Sequence, residues 1–153
     1  GAVASSDGWQ HIVLTYDGGT TGSSSGSISQ YYGRFKMYIN GVQQSTLNSH
    51  ANYGNTTGMS GQNLRVGRYN SSAYMRNSCK LDELAIWNSD QSSNASTIYN
   101  SGSTFDLATL GTSPTHWWRM GDGDTYPTLL DQVGTAHFVM YNMTVADIVS
   151  DVP

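Results

Sequence analysis

The sequence predicts an all-β fold, an antiparallel β-sandwich with one short helical turn. Charged residues make up only 12% and apolar residues 37%, while glycine occupies 17 of the 153 positions. This composition is unlike that of helical bundles, which use Ala, Leu, Glu, Lys and Arg. Ten Tyr, four Trp and three Phe supply bulky anchors that a disordered polymer lacks. Short alternating segments between polar turns then favour a sandwich, and the length fits a single domain over 1–153.

The first strand is predicted over residues 9–17, which alternate between an apolar and a mixed face. The apolar positions are Ile12, Leu14 and Tyr16. Residues 20–29 are almost wholly Gly, Ser and Thr and cannot bury enough area to offset the entropy of ordering them. This segment is predicted to be an exposed loop.

The clearest element is a hairpin over residues 33–42. Its inward side chains are predicted to be Phe35, Met37 and Ile39, and its outward ones Arg34, Lys36 and Tyr38. Asn40-Gly41 tolerates the positive φ angles of a type I′ turn and fixes the position of the bend.

Further strands are expected at residues 63–69, 80–87, 116–120 and 136–143. In the first of these, Leu64 and Val66 are predicted to point inward. A short helical turn is predicted from Ser92 or Ser93 through Tyr99, with Gly102 placed to stop it. The four tryptophans lie in strand patterns and are expected in the core; they are Trp9, Trp87, Trp117 and Trp118.

Charge and hydropathy exclude several classes of partner. The net charge is −4, with seven basic against 11 acidic residues and no basic run, so no nucleic-acid surface is expected. The longest apolar stretch is about six residues against the roughly 20 that span a bilayer, so no membrane insertion is expected. Cys79 is the single cysteine and is expected to be a buried or half-buried filler rather than part of a disulfide.

The sequence predicts no catalytic residue and no enzyme. Glu83 is the only glutamate, and its neighbour Asp82 would point to the opposite face of a strand. The two cannot form the carboxylate pair that glycoside hydrolysis needs. Asp82 is expected to bind loop backbone, and Glu83 to face solvent or a neighbouring side chain.

Calcium is the one cofactor for which the residues offer a mechanism. Asp122 and Asp124 flank Gly123, and Asp131 follows after a loop, so hard oxygen ligands could converge on one cation. The alternative is a polar Asp-Gly turn that caps a strand.

Sugar recognition would combine aromatic faces with Asn side chains that bind hydroxyl groups. The candidate ligand-binding residues are Tyr31, Tyr32, Tyr53, Tyr69, Tyr74, Asn52, Asn55 and Asn70. Alternatively, these tyrosines pack against neighbouring subunits or cover strand edges.

Three successive segments resemble the laminin-G-like jelly rolls of the concanavalin A-like lectin and glucanase superfamily. Residues 9–18 (WQHIVLTYDG) resemble the family's "W-x-H-hydrophobic-T-Y-D-G" strand, and residues 33–41 (GRFKMYING) resemble its hairpin. Residues 80–88 (KLDELAIWN), followed by 98–100 (IYN), resemble its "D-E-h-x-h-W-N" strand and helical turn. The resemblance covers residues 9–102 and implies that the predicted sandwich is an antiparallel jelly roll.

The rest of the chain departs from the family layout. Residues 116–124 (HWWRMGDGD), with Asp131 and Gly134, resemble the strand that usually opens such a domain, yet here they come last. Residues 112–153 either complete a permuted sandwich or open the next domain of a longer chain. With residues 147–153 (DIVSDVP), this segment also resembles the tails of jelly-roll proteins of marine bacteriophage particles.

The resemblance implies a non-enzymatic structural or adhesive component of a bacteriophage virion, such as an appendage, fibre, knob or capsid decoration. It would lie on the virion surface, extracellularly, as a homo-oligomer or with other virion proteins, and display loops for attachment to a surface or cell-surface glycan. The alternative is a free, lectin-like carbohydrate-binding module that depends on calcium.

Overall fold

The computed structural model describes residues 8–16, 35–44, 63–67 and 79–150. These residues form three small antiparallel sheets and one short α-helix. The first sheet has the order β1 (Ile12–Tyr16), β2 (Phe35–Ile39), β3 (Val42–Gln43). The second pairs β4 (Leu84–Ile86) with β5 (His116–Trp118), and the third pairs β6 (Thr128–Leu129) with β7 (Phe138–Val139). The helix is α1 (Ala95–Tyr99). The predicted non-helical, antiparallel class is confirmed for this part of the chain.

The predicted hairpin is present, and its turn is fixed from both sides. Asn40 and Gly41 have φ angles of 50° and 74°, the left-handed values that a type I′ turn requires. The Asn40 amide N–H donates to the carbonyl of His11, and the Asn40 Oδ1 accepts the N–H of His11, both at 2.9 Å. Asn40 Nδ2 also donates to Gln10 Oε1 at 2.9 Å. Asn40 therefore forms the turn between β2 and β3 and also binds the residues that precede β1.

One face of the β1–β2–β3 sheet is uncharged and apolar. The cross-strand register places its members side by side, and we call them the apolar sheet face: Ile12, Leu14, Tyr16, Phe35, Met37, Ile39 and Val42. Leu14 and Val42 are each 65% exposed and Ile12 is 53% exposed. The sheet thus turns its most apolar side chains toward solvent.

The opposite face of the sheet packs against α1 and the turn before it, and this corrects one expectation. Tyr38 was expected to point outward, but it is buried, whereas Phe35, Met37 and Ile39 are only half-buried. Tyr99 of α1 contacts His11, and Lys36 Nζ lies 3.5 Å from Ser92 Oγ on this face. Strand alternation identifies the two faces but does not tell which one meets the helix.

The main buried cluster lies where α1, β5 and a 3₁₀ turn (Leu107–Thr109) meet. Its members are Ile98, Leu107, Leu110 and Trp117, with Ala85, Trp87 and Phe105 packed against them. The next residue on β5, Trp118, faces the other way, and its ring centroid lies 4.4 Å from that of Phe138 in β7. The expectation of a core position is confirmed for Trp117 and Trp118, whereas Trp9 and Trp87 are half-buried.

The predicted helical turn is present in three short pieces: a 3₁₀ turn (Ser92–Asn94), then α1, then a second 3₁₀ turn (Asn100–Gly102). At the N-terminal end of the first 3₁₀ turn, Asp90 Oδ1 accepts the Ser92 N–H at 2.8 Å. The α-helix ends at Tyr99, because the next residue, Asn100, has a left-handed φ of 46°. The helix therefore stops before Gly102. Asparagine tolerates this left-handed conformation, so it stops the helix first.

Two further expectations are corrected. Residues 63–67 form no strand, and Leu64 and Val66 are exposed rather than inward; alternation alone predicts a face but not a sheet to bury it. Cys79 is exposed rather than a core filler.

The predicted strands at 80–87, 116–120 and 136–143 are present in shorter form as β4, β5 and β7. The predicted loop at 20–29 lies outside the described residues. Among the described helices, none has the length and apolarity to cross a bilayer.

The contact between the hairpin turn and α1 can be tested at Gly41. A Cβ at this position would lie 3.1 Å from Tyr99 Cδ1 and 3.3 Å from Ser96 Cα. The matched control is Gly123, which has a similar φ of 77° but nothing within 4 Å of an added Cβ. Both Ala substitutions carry the left-handed backbone cost of about 1–2 kcal/mol. We expect Gly41→Ala to lower the free energy of unfolding by about 1 kcal/mol more than Gly123→Ala, measured by chemical denaturation. Equal losses would contradict the contact.

Candidate functional site

A buried carboxylate, Asp131, forms the most highly connected polar centre among the described residues. Its side chain has no solvent-exposed surface. Oδ1 accepts backbone N–H groups of Gly134 at 2.9 Å, Trp117 at 3.1 Å and Val133 at 3.2 Å. Oδ2 lies 2.6 Å from His116 Nδ1 and 3.2 Å from the N–H of Ala136. The carboxylate thereby joins β5 to the segment that leads into β7.

These donors keep Asp131 ionised. Burial by itself raises the pKa of the carboxyl group, but the N–H of Gly134, the His116 ring and the N–H of Trp117 together outweigh burial and lower the pKa well below its ordinary value. An ionised carboxylate only accepts hydrogen bonds, so His116 must carry its proton on Nδ1 and donate it. Asp131 therefore remains an acceptor near neutral pH and cannot shuttle a proton there.

Two histidines are oriented by this centre in different ways. The His116 side chain is 34% exposed and stacks on Trp118 with a centroid distance of 5.6 Å and an interplanar angle of 18°. His137 Nδ1 accepts the backbone N–H of Asp131 at 3.0 Å, so that nitrogen carries no proton. The two imidazoles thus bind one residue in different ways, His116 through the carboxylate of Asp131 and His137 through its backbone N–H.

A second polar cluster surrounds Arg119, immediately after β5. Glu83 Oε2 accepts the Trp117 Nε1–H at 2.6 Å, and Glu83 Oε1 accepts Arg119 Nε–H at 3.1 Å. Arg119 Nη2 donates to Asp122 Oδ2 at 2.8 Å, and the guanidinium lies 5.7 Å from the Trp117 ring centroid. The cluster anchors a core tryptophan from the solvent side.

Glu83 and Asp82 do not lie on a strand, although the partners of their side chains are of the kinds expected. Glu83 precedes β4 and has a left-handed φ of 51°, so the strand alternation assumed for the pair is wrong. Of the two expectations for its side chain, solvent or a neighbouring side chain, the second is confirmed, because Glu83 binds Trp117 and Arg119. Asp82 does bind loop backbone, as expected, because its Oδ1 accepts the Glu83 N–H at 3.0 Å. Burial, aided by the negative charge of Glu83, raises the pKa of Asp82.

The predicted calcium ligands each accept hydrogen bonds from nitrogen donors. Asp124 accepts the N–H groups of Gly121 at 2.9 Å and Leu130 at 2.8 Å. Asp122 binds Arg119, and Asp131 is saturated as described above. Within the described ranges, no three His, Cys, Asp or Glu side chains are placed to hold a metal ion. The local geometry is that of a polar turn, and a cation would have to replace these donors; calcium binding stays a prediction.

The predicted sugar-binding residues all lie outside the described residues. They are Tyr31, Tyr32, Tyr53, Tyr69, Tyr74, Asn52, Asn55 and Asn70. Their grouping into one surface therefore stays a prediction as well.

Sequence reasoning singled out Asp131 but not its partners. The Gly134 position gave a usable signal, because an Asp followed three residues later by Gly is common where a carboxylate caps its own loop. His116 and Trp117 gave none, since their contact with Asp131 depends on the pairing of segments 14 or more residues apart.

Comparisons with protein-family models, with curated proteins and with solved structures give no match for this chain. The functional argument therefore rests on the residues and their geometry, together with the resemblance described above.

Gly134 tests whether the Asp131 centre stabilises the fold. A Cβ at this position would lie 2.6 Å from Asp131 Oδ2 and 2.9 Å from His116 Nδ1, so the pair would have to separate. We expect Gly134→Ala to cost about 2–3 kcal/mol of unfolding free energy, because buried polar groups lose their partners. Gly111→Ala, where nothing lies within 4 Å of an added Cβ, should change it by less than about 0.5 kcal/mol. Thermal or urea denaturation of both variants measures the difference, and similar values would contradict this role.

Proposed function

We propose that this chain is a non-enzymatic structural or adhesive domain, a laminin-G-like jelly-roll sandwich that serves on the surface of a bacteriophage virion as an appendage, fibre, knob or capsid decoration. Three of the seven described strands support the proposal, because β1, β2 and β4 fall within the three resembling segments. The first segment contains β1, the second contains β2 and its turn, and the third contains β4 with α1 behind it.

The single observation that carries the proposal is the apolar sheet face. Leu14, Val42 and Ile12 are more than half exposed on a surface without a charged side chain. A contiguous apolar patch of a few hundred Å² on a protein surface marks a site of contact with another surface. Each Å² of apolar surface removed from water contributes on the order of 25 cal/mol. A domain whose role is assembly would benefit from leaving this face available.

We propose further copies of the same chain as the partner at this face. Two sheets of a sandwich pack face to face about 10 Å apart, each with an apolar inner side. A second copy offers such a side, and because the residues that define the apolar sheet face are uncharged, contact between two such faces brings no like charges among these described residues together. A standard interface removes roughly 800 Å² per partner from water. A symmetric assembly would repeat the contact several times, which adds avidity.

The polar clusters support a structural rather than a catalytic role. Asp131, Glu83 and Asp124 all accept hydrogen bonds that position backbone or aromatic side chains. Their charges are thereby used to hold segments together. A general acid or base instead needs a pKa near the working pH and reach to a substrate proton.

The assembly role is tested by placing one charge on the apolar sheet face. Leu14→Lys puts an ammonium group at a 65% exposed position, which should leave the monomer folded. Thr97→Lys, at an exposed position on α1, is the matched control. We expect native mass spectrometry and sedimentation over a concentration series to show an oligomer for the wild type and the control, and mainly monomer for Leu14→Lys. A wild type that stays monomeric up to high micromolar concentration would contradict self-association.

A glycan array in the presence and absence of a chelator separates this role from the lectin alternative. A purely structural domain should bind no glycan in either buffer. Binding that calcium supports and chelation abolishes would instead favour the carbohydrate-binding module, with Asp122, Asp124 and Asp131 as the first residues to substitute.

A further inference from the structure

The face of the β1–β2–β3 sheet that packs against α1 contains a buried histidine nitrogen. His11 lies immediately before β1, and its Nδ1 is buried without a hydrogen-bond partner among the described residues. The backbone at this position is fixed, because both its N–H and its carbonyl bind Asn40 at 2.9 Å. The ring therefore cannot leave its place without a change at the hairpin turn or a rotation of its own side chain.

The His11 ring forms part of the contact between the sheet and the helix. Its centroid lies 5.9 Å from that of Tyr99, at an interplanar angle of 33°. The same Tyr99 ring also lies against Gly41, where an added Cβ would be 3.1 Å from Cδ1. The start of β1, the β2–β3 turn and the end of α1 thus meet at one aromatic side chain, and we call this contact the Tyr99 junction.

The groups that face His11 do not favour a positive charge. Tyr99, from α1, presents a phenol ring, and Asn40, from the turn, presents a neutral amide bound to Gln10. Among the described residues, the charged groups on this side of the sheet are Lys36 and Asp90, at the other end: Lys36 pairs with Thr15 in the register, and Asp90 binds the N–H of Ser92. Burial, with no compensating charge, lowers the pKa of His11.

We propose that His11 makes the Tyr99 junction pH-sensitive: the neutral imidazole lets the β1–β2–β3 sheet pack on α1, and its protonation opens that contact. His11 is half-buried as a whole, but its Nδ1 is buried, so an imidazolium would place an N–H donor without a partner among the described residues at that atom, which is unfavourable. Solvation of this donor requires the ring to rotate out, so the contact between His11 and Tyr99 is lost and the junction is held only by Gly41 against the Tyr99 ring. Histidine is the side chain whose ordinary titration falls between pH 5 and 8.

The sign of the effect follows from proton linkage. The closed junction favours neutral His11, so its contribution to stability is complete above the ordinary histidine pKa of about 6.5 and declines as the pH falls below it. Between that value and the pKa in the closed state, each unit of pH changes the opening equilibrium by a factor of up to about ten.

The opening should remain local to the junction. His11 is not part of the cluster of Ile98, Leu107, Leu110 and Trp117. The Asp131 carboxylate also retains its charge in this range, because its pKa lies far below it. Proteins open in cooperative units of differing stability, and the sheet that joins α1 through the Tyr99 junction is such a unit.

Amide hydrogen exchange of the full chain tests this proposal. Exchange at pH 7.5 and 5.5 is compared after correction for the intrinsic chemical rate, in the wild type, in His11→Phe and in the control His137→Gln. Phenylalanine keeps a ring against Tyr99 but does not titrate, and glutamine can accept the Asp131 N–H in place of His137. We expect protection of β1 and α1 to fall several-fold at pH 5.5 in the wild type and the control, with β5 unchanged. His11→Phe should show no such fall.

Three results would overturn the proposal: no pH effect on β1 and α1 in the wild type, the same effect in His11→Phe, or an equal loss at β5. Titration of the His11 ring by NMR in the wild type keeps the test independent of any variant. It should give a midpoint below 6.5 that coincides with the change in exchange, and a midpoint at or above 6.5 contradicts the proposal.

Discussion

The hydrogen bonding of the Asp131 carboxylate is the interaction on which the C-terminal half of the described structure depends. Two strands of two residues each, β6 and β7, cannot hold themselves together in water. Asp131 binds the backbone of β5 on one side and the 133–136 loop on the other, while Trp118 covers Phe138 of β7. The short hairpin is thereby attached to the strand that carries the main core. A buried ionised group is tolerated here because every oxygen has donors.

The sequence predicted elements whose cause is local. Asn40-Gly41 determines a turn through its own backbone preferences, and the hairpin was found where that pair placed it. The helical turn behind β4 is likewise located from nearby residues, although Asp90 binds the N–H of Ser92 at its start and Asn100 ends the α-helix, in place of a cap at Ser92 or Ser93 and a stop at Gly102. Features that depend on distant segments could not be read in this way. Nothing near Glu83 in the chain indicates that Trp117, 34 residues later, will donate to it.

The candidate site illustrates the same limit. Asp122, Asp124 and Asp131 were grouped because three carboxylates near a glycine suit a cation. The residue types alone do not say whether an oxygen meets a metal or an N–H group. In the described structure those oxygens meet Arg119, Gly121, Leu130 and the donors around Asp131. The same chemistry of hard, negative acceptors serves either purpose, and tertiary packing decides between them.

The adjacent tryptophans of β5 have a consequence for how this chain can vary. Because strand side chains alternate, Trp117 enters the cluster around Ile98 while Trp118 covers Phe138 and stacks on His116. The two faces of this three-residue strand therefore pack into two separate hydrophobic clusters. Inserting or deleting a single residue within β5 would exchange the two indoles and the donors they carry. A change of length at β5 would therefore disturb both hydrophobic clusters at once.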